Sequence, residues 1–241
     1  MNLNENWRAA GHHLTAYVNS SRAPRERRKG YMDCFFERFP GATWEIQERL
    51  HVYALPNQKV RDLVTEYHTL LGDDPIGQYG LGLQPADFLH FTVQMLRKHR
   101  SEVTKPDLDE LVTHLAKQLR HVDPITLQVG PPQPGVHAVE LWVAPDADQV
   151  WGELVDHTRT AVTNVFGPDA LPPLGPNAVP HTSLGYGVRP GDSGAITNAI
   201  KQIRRPLVEV IVDQVHLLAV TQHPARGCFT WEPIAAIPLG H

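Results

Sequence analysis

Apolar residues recur along this chain in two rhythms. Val60, Leu63, Val64, Tyr67 and Leu71 fall on one side of a helix over 58–71. The run before it, LHVYAL at 50–55, reads as a strand that Pro56-Asn57 ends. A Gly-, Asp- and Pro-rich stretch at 72–86 reads as loop. The pattern then predicts a strand over 87–96 (DFLHFTVQML), a helix over 106–121, a strand over 125–129, a turn at GPPQPG and a strand over 136–143. A helix over 146–166 follows, its stripe made of Val150, Leu154, Val155, Thr158, Val162 and Phe166. Five prolines between 167 and 180 forbid a helix or an inner strand there. A strand over 180–186, a helix over 193–204, strands over 207–212 and 215–220 and a last strand near 228–234 complete the series.

Residues 1–45 stand apart. Trp7, Ala10, Leu14 and Tyr17 have helical spacing, which predicts a helix near 4–19, and Pro24 fits the first position of a second. RAPRERRK at 22–29 reads as a solvated face, with phosphate contact as the alternative. Phe35, Phe36 and Phe39 are expected to dock this segment on the main body. The domain division is therefore a helical extension, 1–45, and one domain, 46–241. Within that domain, strand–helix–strand–strand occurs from 87 to 143 and again from 180 to 220. A strand holding a His leads each copy. This echo predicts a duplicated α+β unit with two sheets meeting at a cleft.

Composition narrows the choice of chemistry. The net charge of −4 argues against coating nucleic acid through bulk charge, but not against one local phosphate pocket. Cys34 and Cys228 are the only cysteines and form no CxxC, which excludes a cysteine zinc site or a redox dithiol. No basic-then-apolar leader and no apolar run of about 18 residues is present, so a soluble cytoplasmic protein with no membrane partner is expected.

The chain has 14 His, and His-x-Thr/Ser occurs four times, where composition alone supplies about one. His13-x-Thr15 lies in a helical stripe, where residues two apart diverge. His99-x-Ser101 lies in a polar turn. His90-x-Thr92 and His181-x-Ser183 lie in strands, where alternation puts imidazole and hydroxyl on one face. These two strands lead the echoed units, so a duplicated fold brings them face to face. One neutral imidazole can take a proton and one imidazolium can give one, while each hydroxyl donates to a phosphoryl oxygen. That set suits in-line displacement at phosphorus without metal. Tyr53, on a face with His51 and Leu55, is a candidate base-stacking residue. Gln94, continuing the His90–Thr92 face, is a candidate cleft residue.

LHFTV at 89–93 and PHTSLGY at 180–186 resemble the paired motifs of the two-histidine phosphoesterase superfamily, which includes bacterial RNA 2',3'-cyclic phosphodiesterases, or 2'-5' RNA ligase-like proteins. The resemblance spans roughly 50–235, with the opening strand HVYALPN and the late strands VEVIVDQVHLLAV. It implies a bilobal, pseudo-two-fold α+β fold, with two antiparallel sheets facing across a central cleft and helices outside. It also implies that His90 and His181 are the acid/base pair and that Thr92 and Ser183 hold the phosphate. No cofactor or metal is implied, and the partner is a phosphodiester-containing nucleotide or an RNA end. A 2'-phosphate product is the family expectation. One departure is Thr182, at a position usually apolar in the family, and alternation turns it away from the cleft. Two other functions stay open: a nucleotide- or RNA-end-binding protein with little turnover, and a metal-dependent hydrolase using several of the His. The same cleft could also serve an enzyme of specialised metabolism.

Overall fold

A computed structural model describes residues 30–38, 41–174, 178–203 and 205–240. The helix expected at 4–19, the basic run at 22–29 and Phe39 lie outside the described residues. Strand β1 (Arg49–Ala54) is buried along nearly its whole length, and helix α1 (Gln58–Leu71) begins where the Asn57 side chain accepts the Val60 N–H. The stretch read as loop at 72–86 holds two short elements, α2 (Pro75–Tyr79) and β2 (Leu81–Leu83). Five and three residues are too few for either period to show. A 3₁₀ turn at 86–88 follows, so β3 (Phe91–His99) starts four residues later than expected. Helix α3 (Lys105–Leu119) opens on a reciprocal cap between Thr104 and Asp107.

Strand β4 (Ile125–Pro134) runs through the GPPQP segment expected to turn, before β5 (Ala138–Val143). The prolines are tolerated because the described ladder to the neighbouring strand β7 (Val208–Val212) reaches only Val129, so they lie beyond it and next to a register slip. Helix α4 (Asp148–Phe166) buries Trp151, Leu154, Val155, Thr158, Ala161 and Val162. Val150, expected in the buried stripe, is 40% exposed, because the larger Trp151 turns into the core in its place. The remaining elements are β6 (His181–Gly187), α5 (Ser193–Ile200), β8 (Gln214–His223) and β9 (Cys228–Pro238), the helix shorter and the last two strands longer than predicted.

The strands form two antiparallel sheets, ordered β3-β1-β8-β9 and β2-β6-β5-β4-β7. Helices α3 and α4 pack on the first sheet, and α1 and α5 on the second. The fold is the bilobal α+β arrangement expected, but the two echoed sequence units are not the two lobes. From the first unit, β3 joins one sheet while β4 and β5 join the other; from the second, β6 and β7 join one and β8 the other. A strand's sheet is set by its hydrogen-bonding neighbour, which no pattern along one strand encodes.

The larger apolar cluster fills the space under the helices. A smaller one joins the facing surfaces of the two sheets: Tyr53, Leu218, Val220 and Phe229 from the first, Ala138 and Tyr186 from the second. Residues ahead of β1 complete it, namely Cys34, Phe36 and Trp44. Met32 and Gly191 exchange backbone hydrogen bonds, and the Phe35 N–H donates to the Gly187 carbonyl. The Gln222 side chain accepts from the Trp44 N–H and donates to the Ala42 carbonyl. Position 187 must be glycine for this docking, because any Cβ there would collide with the Asp33 carbonyl. Phe35 and Phe36 thus do dock the segment, with Phe35 edge-on to Tyr186 at 4.6 Å. They dock into the space between the sheets rather than onto an outer surface.

Candidate active site

Both motif strands bend just after their hydroxyl residue. On β3, Thr92 lies opposite Tyr53 and Gln94 opposite Val52, so Val93 is an extra residue. On β6, Ser183 lies opposite Glu140 and Gly185 opposite Val139, so Leu184 is the extra one. Each bulge adds local twist where the His and its hydroxyl partner enter the cleft.

The two imidazoles are held alike. The Nδ1 of His90 lies 3.1 Å from the Phe88 carbonyl and that of His181 3.0 Å from the Val179 carbonyl. A carbonyl oxygen only accepts, so each Nδ1 carries the hydrogen and each Nε2 is left able to take up a proton. Strands β3 and β6 touch although they belong to different sheets. Burial pulls the His90 pKa down to about 4, against the bond to the Phe88 carbonyl, which raises it. Thr92 shares a hydrogen bond with the Tyr53 hydroxyl, and Ser183 with that of Tyr186; burial holds both phenols protonated.

Two of the residues singled out in the sequence are placed differently from expectation. Tyr53 is buried, and its ring is stacked on His90 at 4.1 Å and 9°, so that face is not open to a base. Gln94 leaves the His90–Thr92 face because of the bulge at Val93. It is buried on the helical side, where its Oε1 accepts from Arg159 of α4 at 2.9 Å. Thr182 turns away from the cleft, as alternation implied; it is buried, and its hydroxyl has no partner among the described residues.

Several residues at the site carried no sequence signal. Trp231 of β9 stands edge-on to His90 at 5.4 Å, and Trp142 of β5 lies 5.7 Å from His181. The Glu140 carboxylate is 3.8 Å from His181 Nε2. Alternation in VELWV puts Glu140 and Trp142 on one face, but only the β5–β6 register puts that face beside His181. His51 lies between Trp44 and Tyr53, and burial pulls its pKa down to about 3. Both thiols, Cys34 and Cys228, are buried and free. Among the described residues, no three His, Cys, Asp or Glu side chains gather as a metal site, and no helix is long and apolar enough to cross a membrane.

The family model described as the 2'-5' RNA ligase superfamily matches residues 58–224. Among solved structures, TT0787 of Thermus thermophilus is similar at 16% identity and a TM-score of 0.58, covering 80% of this chain and 98% of its own. LigT of E. coli in apo form is similar at 16% identity and a TM-score of 0.54, covering 80% and 98%. LigT complexed with 3'-AMP gives 18%, 0.54, 81% and 100%. At these identities the likeness is one of fold. A search of curated protein sequences found no match.

Proposed function

The chain belongs to the 2'-5' RNA ligase superfamily, and on that premise we propose that it is a metal-independent phosphodiesterase acting on a 2',3'-cyclic phosphate or a related cyclic or 2'-5' phosphodiester. His90 and His181 are its acid–base pair, and Thr92 and Ser183 donate hydrogen bonds to the phosphoryl oxygens. The observation that supports this most is the matched hold on the two imidazoles, each pinned through Nδ1 to a carbonyl two residues earlier. With both Nε2 atoms assigned to proton transfer, one takes a proton from water as its oxygen bonds to phosphorus. The other gives a proton to the oxygen whose bond to phosphorus breaks. Run backwards, the same two atoms exchange roles, which suits a family that includes ligases.

The structure of LigT with 3'-AMP supports a nucleotide or RNA end as the substrate class. In this reading the protein acts in the cytoplasm. Residues 1–45 are an extension on a domain of 46–241, and its Cys34, Phe36 and Trp44 pack in the smaller apolar cluster between the sheets. The test is hydrolysis of 2',3'-cyclic nucleotides in excess EDTA from about pH 3 to 9, by wild type and His90→Ala in parallel. A bell-shaped profile that survives EDTA and collapses in the variant is expected. Activity lost in EDTA and restored by a divalent ion would overturn the metal-independent mechanism.

A further inference from the structure

The two motif bulges are supported in different ways. Strand β6 has a neighbour on each side, β2 and β5. The residue after its bulge is Gly185, where a Cβ would stand 2.5 Å from the Gly82 carbonyl oxygen of β2, so backbone packs directly on backbone. Strand β3 lies at the edge of its sheet, with β1 beside it. An extra residue interrupts the ladder, so a bulge on an edge strand is held from one side, by a broken set of hydrogen bonds. Its phase needs a second support.

Helix α4 supplies one. The residue after the β3 bulge is Gln94, and Arg159 Nη1 donates to its Oε1 at 2.9 Å. The same nitrogen donates to the Pro172 carbonyl at 3.1 Å, in the proline-rich stretch that leads to β6. Gln94 Nε2 donates to the Met95 carbonyl at 2.6 Å, so both ends of this buried amide are bonded and its orientation is fixed. A charged donor makes the stronger kind of hydrogen bond. Burial lowers the Arg159 pKa and the Asp156 charge opposes that, but a guanidinium stays protonated through either.

We propose that Arg159 is a positioning residue for the candidate site: through Gln94 it fixes the β3 bulge, and so the direction in which the Thr92 hydroxyl enters the cleft. The proposal rests on the phosphodiesterase reading above. Val93 alone separates Thr92 from Gln94, so a swing of the Gln94 backbone passes straight to Thr92. A group that contacts the phosphate need move only about 1 Å to lose up to about 10²-fold in rate.

The test places Arg159→Met and Arg159→Lys in three backgrounds: wild type, Thr92→Ala and Ser183→Ala. The first readout is kcat and KM on a 2',3'-cyclic nucleotide. R159M is expected to lower kcat/KM about 10-fold in the wild-type and S183A backgrounds, mostly through kcat, and less than about 2-fold in T92A, where the hydroxyl it aims is already gone. R159K, which keeps a charged donor, recovers part of the loss. Losses of equal size in all three backgrounds, or no loss in wild type, overturn the proposal. The second readout needs no turnover: NMR of backbone amides, where R159M is expected to shift Thr92 and Val93 and leave Ser183 and Leu184 in place. An unmoved Thr92 amide overturns the proposal. If R159M does not fold, Gln94→Leu breaks the same bond from the other side and carries the same expectations. Shifted Thr92 and Val93 amides, in a protein whose wild type hydrolyses no cyclic nucleotide, uphold the brace and overturn the phosphodiesterase reading.

Discussion

Around His90 the cleft wall is built from rings: Tyr53 lies flat on the imidazole, and Trp231 and Phe229 meet it edge-on. Around His181 a single ring, Trp142, is joined by the Glu140 carboxylate, 3.8 Å from Nε2. Yet the backbone is nearly the same on both sides. Each His bonds the carbonyl two residues before it, and each hydroxyl partner is followed by a one-residue bulge. The scaffold's symmetry positions two like groups, and the strand next door makes them unlike. Burial among rings pulls the His90 pKa down to about 4, so like backbone positions do not make the two surroundings alike.

Removing either imidazole tests the symmetric part of this comparison and carries the largest effect. His90→Ala and His181→Ala should each lower kcat by about 10²–10⁴, and the double variant little more, because the two act as a unit. A single variant with near wild-type kcat would show that only one half of the cleft works. The hydroxyls come next. Thr92→Ala and Ser183→Ala each remove a bond to a charged oxygen, roughly 1.5–3 kcal/mol, or about 10–150-fold in kcat/KM. Equal losses keep the halves equivalent at this level, and an unchanged kcat/KM in either variant removes that hydroxyl from the phosphate site.

The remaining prediction concerns stability rather than rate and belongs to the ring-lined half. His51 and His90 have pKa values pulled down to about 3 and about 4 by burial, against roughly 6.5 in an unfolded chain. The unfolded state therefore binds more protons as pH falls below about 6.5, and stability present above that pH is lost toward 4 and 3. The urea midpoint should drop as pH is taken from about 7 to 4.5. His51→Gln should flatten that dependence, and an unflattened curve would remove His51 from the cause.

Much of the fold was legible because its signals are local. The stripe from Val60 to Leu71 gave α1 at its observed limits, and period-two alternation held for His181 and Ser183 on β6, whereas His90 lies one residue ahead of β3 and meets Tyr53, the residue opposite Thr92. Alternation failed at Gln94, where the count is broken by an extra residue that only the partner strand reveals. It failed at 130–134 as well, since three prolines deny a strand unless its neighbour stops short of them.

The sequence by itself determined the order of most elements, the two motif faces and the family, because side-chain direction and apolar rhythm are properties of a few consecutive residues. Only the assembled fold decides which strands share a sheet, that Tyr53 covers His90, that Glu140 meets His181, and that Phe35, Phe36 and Trp44 pack between the sheets. Those outcomes depend on hydrogen-bond register between strands tens of residues apart, as between Glu140 and Ser183. Register is set by pairing and packing across the whole domain rather than along any one strand.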